Sequence, residues 1–130
     1  MVAITKQEQV QALAQLLKPL GFKKTRSTWH RQTFDTIHTI NVQGSQWGPE
    51  FYLNVGTYLR ALGTELTPPE NHCHIRARVH PPDSAAAILV QECQEWFEQF
   101  GTVASLAAHS KSDSLPIATT GVARQWLGAA

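Results

Sequence analysis

Two stretches of this chain alternate strictly between apolar and polar side chains, and that period of two leaves few choices for the fold. In residues 50–59, Phe51, Leu53, Val55, Thr57 and Leu59 share one parity, while Tyr52, Asn54, Gly56 and Tyr58, continued by Arg60, share the other. In residues 71–80, Cys73, Ile75, Ala77 and Val79 alternate with His72, His74, Arg76, Arg78 and His80. Successive side chains of a strand point to opposite faces, so each stretch reads as a half-buried strand. Residues 22–33 and 36–43, rich in Thr, Ile, Val, Phe and Trp, read as further strands around a turn near Asp35.

Helical spacing brackets this block. Thr5 and Glu8 have the T-x-x-E spacing of a capping box, and Val10, Leu13, Leu16, Leu17 and Leu20 recur on one stripe. Pro19 and Gly21 stop that helix, which spans residues 6–18. After Pro81, Pro82 and Asp83 the period changes again. Ala85, Ile88, Leu89, Cys93, Trp96, Phe97 and Phe100 form a helical stripe, with Asp83 a candidate N-cap and Gly101 just past the end. Three aromatics on one stripe read as core packing over the sheet, not as a cofactor box. Two shorter helices are expected over 102–109 and 121–127, joined by an exposed linker at 110–116.

Helix, then consecutive strands with short connections, then helices is the order of the α+β class. The expectation is a mainly antiparallel sheet of four to five strands with helices packed on one face and the other face open. A length of 130 residues suits a single domain, with an N-terminal helix within 5–20, the sheet within 22–80 and C-terminal helices within 83–128. With 42% hydrophobic and 16% charged residues, disorder is excluded as the general state. The longest apolar run, Ala85 to Val90, is far short of the ~20 residues that span a bilayer. The N-terminus lacks a basic region followed by an apolar stretch and a cleavage site, so a cytoplasmic setting is expected, with Cys73 and Cys93 as buried thiols.

Eleven Lys and Arg against ten Asp and Glu leave a formal charge of +1, which argues against a nucleic-acid binder that works by bulk charge. Charge is nonetheless segregated. Residues 18–31 hold five basic side chains and no acidic one, and residues 83–98 hold four acidic side chains and no Lys or Arg. Lys23, Lys24, Arg26 and Arg31 with Trp29 could contact a phosphate backbone, a reading that the near-neutral total makes secondary.

The sheet face turned away from the helices is the candidate site. Its expected members are Arg76, Arg78, His74, Tyr52 and Asn54, joined by Gln43, Trp29 and Arg31 if their strands keep the same parity. Arginine offers a planar fork of donors for a carboxylate or phosphate, tyrosine and tryptophan offer flat area with a polar tip, and the amides add donors and acceptors. This set fits a binding module for an anionic small molecule or an acidic protein surface. No catalytic residue, metal or cofactor is assigned.

Two rival readings use the same face. The His72-x-His74 pair on one strand would set two imidazoles about 7 Å apart at Cα, a spacing for zinc ligands in a metal-assisted or anion-directed hydrolase. His38 is the one further strand histidine that could help, since His80 lies about 20 Å along the same strand. A homodimer could instead bury the face through Tyr52 or Tyr58. The sequence has no G-x-S-x-G, P-loop or dinucleotide glycine pattern, and strand parity separates Cys73 from both neighbouring histidines.

Several ordered pieces carry a resemblance. These are Gly21-Phe22-Lys23-Lys24 with Trp29-His30-Arg31, Gln43-Gly44-Ser45, Phe51-Tyr52-Leu53-Asn54-Val55-Gly56 and Cys73-His74-Ile75-Arg76-Ala77-Arg78. Over about residues 5–105 the chain resembles the bacterial domain-of-unknown-function family numbered 4304. The resemblance implies a small single-domain bacterial protein with no assigned activity, and it carries over no catalytic residue.

Overall fold

The computed structural model describes residues 6–44, 51–79 and 85–129. The proposed helix starts at Thr5 and Asp83, the loop with Ser45 and Trp47, and His80 lie outside them.

Helix α1 (Lys6–Leu17) ends in a single 3-10 turn over Lys18–Leu20, closed by Gly21 at φ +92°. Five strands follow: β1 (Lys23–Thr25), β2 (Thr28–Gln32), β3 (Thr36–Gly44), β4 (Phe51–Leu59) and β5 (Ile75–Val79). They form one antiparallel sheet in chain order. Helices α2 (Ala86–Phe100), α3 (Val103–Lys111) and α4 (Gly121–Gly128) complete the α+β fold. Thr102 and Thr120 cap α3 and α4, their hydroxyls accepting from Ser105 N and Ala123 N, bonds worth about 1 kcal/mol each.

The expected strand 22–33 is a hairpin of its own. Arg26 takes φ +59° in the two-residue turn between Thr25 and Thr28. No glycine or asparagine marks that turn, so composition hides it.

All four helices lie on one face. Leu13 and Leu17 of α1 and Leu89, Val90, Cys93 and Phe97 of α2 pack on Trp29, Ile40, Val42, Leu53, Val55 and Val79. Leu106 of α3 and Ala123 and Leu127 of α4 pack on Leu59 and Ile75. Sheet side chains also cap the end of α2. Thr57 Oγ1 donates to Phe100 O at 2.8 Å, and Thr36 Oγ1 and His38 Nε2 donate to Gly101 O at 2.6 and 2.8 Å. These bonds satisfy carbonyls that a helix end leaves without partners.

Segment 60–74 folds over one end of the opposite face. It holds 3-10 turns at Arg60–Leu62 and Glu70–His72. Beneath it Ile37, Tyr58 and Cys73 are buried together. Cys73 therefore lies on the face opposite Ile75, contrary to the simple alternation, because the strand begins only at Ile75 and the turn before it resets parity. His30 Nε2 donates to Pro68 O at 2.7 Å and Gln32 Nε2 to Leu66 O at 2.7 Å, tying the segment to β2. The outer edge of β5 is covered as well, by Arg76 N to Ala118 O at 3.2 Å and Thr120 N to His74 O at 2.9 Å. Covering an edge in this way removes a template for unwanted strand pairing.

Candidate binding face

Register decides which side chains meet. Thr28, Asn41, Asn54 and Arg78 are consecutive cross-strand partners from β2 to β5, and Gln43 pairs with Tyr52 in the next outward-facing row. These residues share the face away from the helices, beyond the end of the covering segment.

Arg78 organises the group. Its Nε donates to Asn54 Oδ1 at 3.1 Å, and Nη2 lies 3.5 Å from Gln43 Oε1. Asn54 Nδ2 donates to the same Gln43 oxygen at 2.9 Å. The guanidinium carbon sits 4.6 Å from the centroid of the Tyr52 ring, a cation–π contact. Among the described residues no carboxylate pairs with Arg78. Asn41 extends the row, with Nδ2 donating to Thr28 Oγ1 at 3.0 Å.

Arg76 shares the face but its charge is already matched. Nε and Nη2 donate to the two carboxylate oxygens of Glu70 at 2.9 and 3.0 Å. That bidentate pair raises the Arg76 pKa, and Glu70 is only 8% exposed. The strand pattern gave no sign of Glu70, which arrives from the irregular segment that follows Pro68 and Pro69.

Three expected members lie elsewhere. His74 is half-buried with its ring against Tyr58, and its Nδ1 accepts from Leu59 N at 2.9 Å. Burial lowers its pKa, with Glu65 opposing. Trp29 and Arg31 point to the helix side, because Trp29 pairs with Ile40 and Arg31 with His38. Trp29 is 2% exposed in the main core. Arg31 lies over the rings of Phe22 and Phe97, at 4.3 and 5.6 Å to their centroids. Strand β2 carries polar residues on both parities, so its pattern could not choose a face.

The histidine pair has no shared geometry. His72 sits in the 3-10 turn with Nδ1 at 3.0 Å from Glu65 Oε1, while the Nδ1 of His74 is occupied by the backbone. His38 is on the other side of the sheet, under Gly101. Among the described residues no group of three or more His, Cys, Asp or Glu is placed to hold a metal ion. Tyr58 is 3% exposed beneath the covering segment, so it cannot contribute to a dimer contact in this fold.

The family model described as domain of unknown function (DUF4304) matches residues 13–106. The chain belongs to this family. The DUF4304 region takes in all five strands, α2 and the Arg78, Asn54, Gln43 and Tyr52 cluster, and it ends before α4. No curated protein and no solved structure matches the chain. Among the described residues no helix is long and apolar enough to cross a membrane.

Proposed function

We propose that this DUF4304 protein is a non-enzymatic binding module whose Arg78 cluster receives an anionic group, a carboxylate or phosphate of a small molecule or of an acidic protein surface. The observation that carries the reading is the state of Arg78. It is held over Tyr52 and by Asn54 with no carboxylate partner among the described residues. A guanidinium fixed in advance loses little side-chain freedom when it forms a charge-assisted pair. Arg76 neighbours the cluster but is committed to Glu70, so among the described residues one arginine without a carboxylate partner, not two, defines the site. A cytoplasmic setting belongs to the same reading, and two buried cysteines without a disulfide accord with it.

The test is a backbone-amide NMR titration with inorganic phosphate and, separately, with a short acidic peptide. Saturable shifts at Gln43, Tyr52, Asn54 and Arg78, lost in Arg78→Ala while the unfolding midpoint holds, are the expected result. Equal shifts in Arg78→Ala overturn the assignment. The titrant that saturates at lower concentration tells small anion from protein surface.

A further inference from the structure

A second feature lies on the helix side of the sheet, away from the Arg78 cluster. Where the C-terminal half of α1 passes the β1–β2 hairpin there is a cavity of about 500 Å³. Buried Phe22 and Trp29, with Ala14 of α1, supply its apolar lining. The exposed residues Lys18, Lys23 and Lys24 supply its charge, and among the described residues no Asp or Glu lines it. Lys24 Nζ stands 5.7 Å from the Trp29 ring centroid, so an ammonium already sits beside the aromatic wall. Gly21, at φ +92°, turns the chain between Lys18 and Lys23, and all three line the cavity.

The size is that of a small-molecule site, commonly 300–1,000 Å³. Its chemistry is one-sided, with apolar walls and positive charge only. This is also the part of the sequence that carries five basic residues and no acidic one, residues 18–31. A polynucleotide fits poorly, because a formal charge of +1 for the whole chain gives a phosphate backbone little overall attraction. We infer that this cavity binds a small organic anion, a flat apolar body that lies against Ala14 and Trp29 and carries one carboxylate, sulfonate or phosphate toward Lys18 and Lys24. The apolar body gains burial, and the lysines supply charge-assisted contacts that orient it.

The test uses the full chain with two dyes that share one aromatic body. These are 8-anilinonaphthalene-1-sulfonate and its uncharged counterpart, N-phenyl-1-naphthylamine. The sulfonate dye is expected to saturate a single site and to bind about tenfold more tightly than the neutral one, the worth of one charge-assisted contact. Combining Lys18→Glu with Lys24→Glu lowers its affinity by about tenfold or more. Both lysines are exposed, and an unchanged unfolding midpoint verifies the fold. Ala14→Phe, which fills the cavity, also removes binding; should that variant fail to fold, the lysine pair still decides. Amide shifts centre on Ala14, Lys18 and Lys24, and Arg78→Ala leaves them unchanged, so this site and the sheet-face site fail independently. Equal binding of the two dyes, undiminished affinity in the lysine variant, or shifts centred elsewhere would overturn the inference.

Discussion

Arg31 donates from Nε and Nη2 to a single atom, Nδ1 of His38, at 3.1 and 2.9 Å. A guanidinium has no acceptor, so Nδ1 must be the bare nitrogen and the proton must sit on Nε2, where it reaches Gly101 O. His38 is thus a neutral imidazole that joins an arginine on the sheet to the end of α2, with its ring stacked on Phe97 at 4.3 Å between centroids.

This arrangement sets a pH dependence. Burial, aided by the Arg31 charge and opposed by the Gly101 bond and Asp35, lowers the His38 pKa from 6.5 to about 4. The unfolded chain therefore takes up a proton at this residue before the folded one does. The stabilisation is whole above pH 6.5 and is lost as pH falls toward 4, by about 3 kcal/mol. Urea unfolding at pH 7 and pH 4 should show this fall, and His38→Gln should flatten part of it. An imidazole signal of His38 that titrates near pH 6.5 would contradict the assignment.

Gly101 should resist even the smallest side chain. Its φ is −99°, a conformation any residue can adopt, so backbone strain is not the reason. A Cβ there would lie 2.3 Å from Phe97 O and 2.7 Å from His38 Nε2. Gly101→Ala must push the end of α2 off the sheet or displace His38, and a loss of about 2–3 kcal/mol is expected. The denaturation midpoint measures it. At an unobstructed helix end the same change would be neutral or mildly stabilising.

Both cases rest on contacts that no local pattern announces. The sequence periods did locate α1, the stripe of α2 and the parities of β4 and of Ile75, Ala77 and Val79, because one-sided burial imprints itself on spacing. They also located Arg78, Asn54, Tyr52 and Gln43 on one face. Trp29 and Arg31 escaped because β2 is polar on both sides, and its face is set by pairing with β3. His72, His74 and Cys73 escaped because alternation runs on through a 3-10 turn that pairs no strand. Glu70 escaped because its partner Arg76 is six residues on, across a change of backbone direction.

The two thiols should be chemically silent in the native protein. Burial pushes Cys73 and Cys93 up to about 12. For Cys73, burial outweighs the opposing contact with Thr39 Oγ1, which lies 3.3 Å from Sγ. Reactivity follows the thiolate, so an aromatic disulfide reagent at pH 8 should modify neither cysteine until denaturant is added, when both react. Rapid modification of Cys73 without denaturant would show that the covering segment opens readily.

The sharpest contrast lies between two arginines on one strand. Removing Arg78 deletes a cation whose neighbours Asn54 and Gln43 still bond to each other, and little stability should change. Removing Arg76 strands the Glu70 carboxylate, which is nearly buried under the segment that leads into β5. Arg76 itself is 41% exposed, so water screens part of the loss, and Arg76→Ala should cost about 2 kcal/mol in urea unfolding, more than Arg78→Ala. If the cost is that of the orphaned charge, Arg76→Met combined with Glu70→Leu should recover most of it, since paired apolar replacements of buried ion pairs are often neutral. A double variant no better than Arg76→Ala alone would mean that Glu70 and Arg76 fix the turn by geometry, and that their charges matter little to the fold.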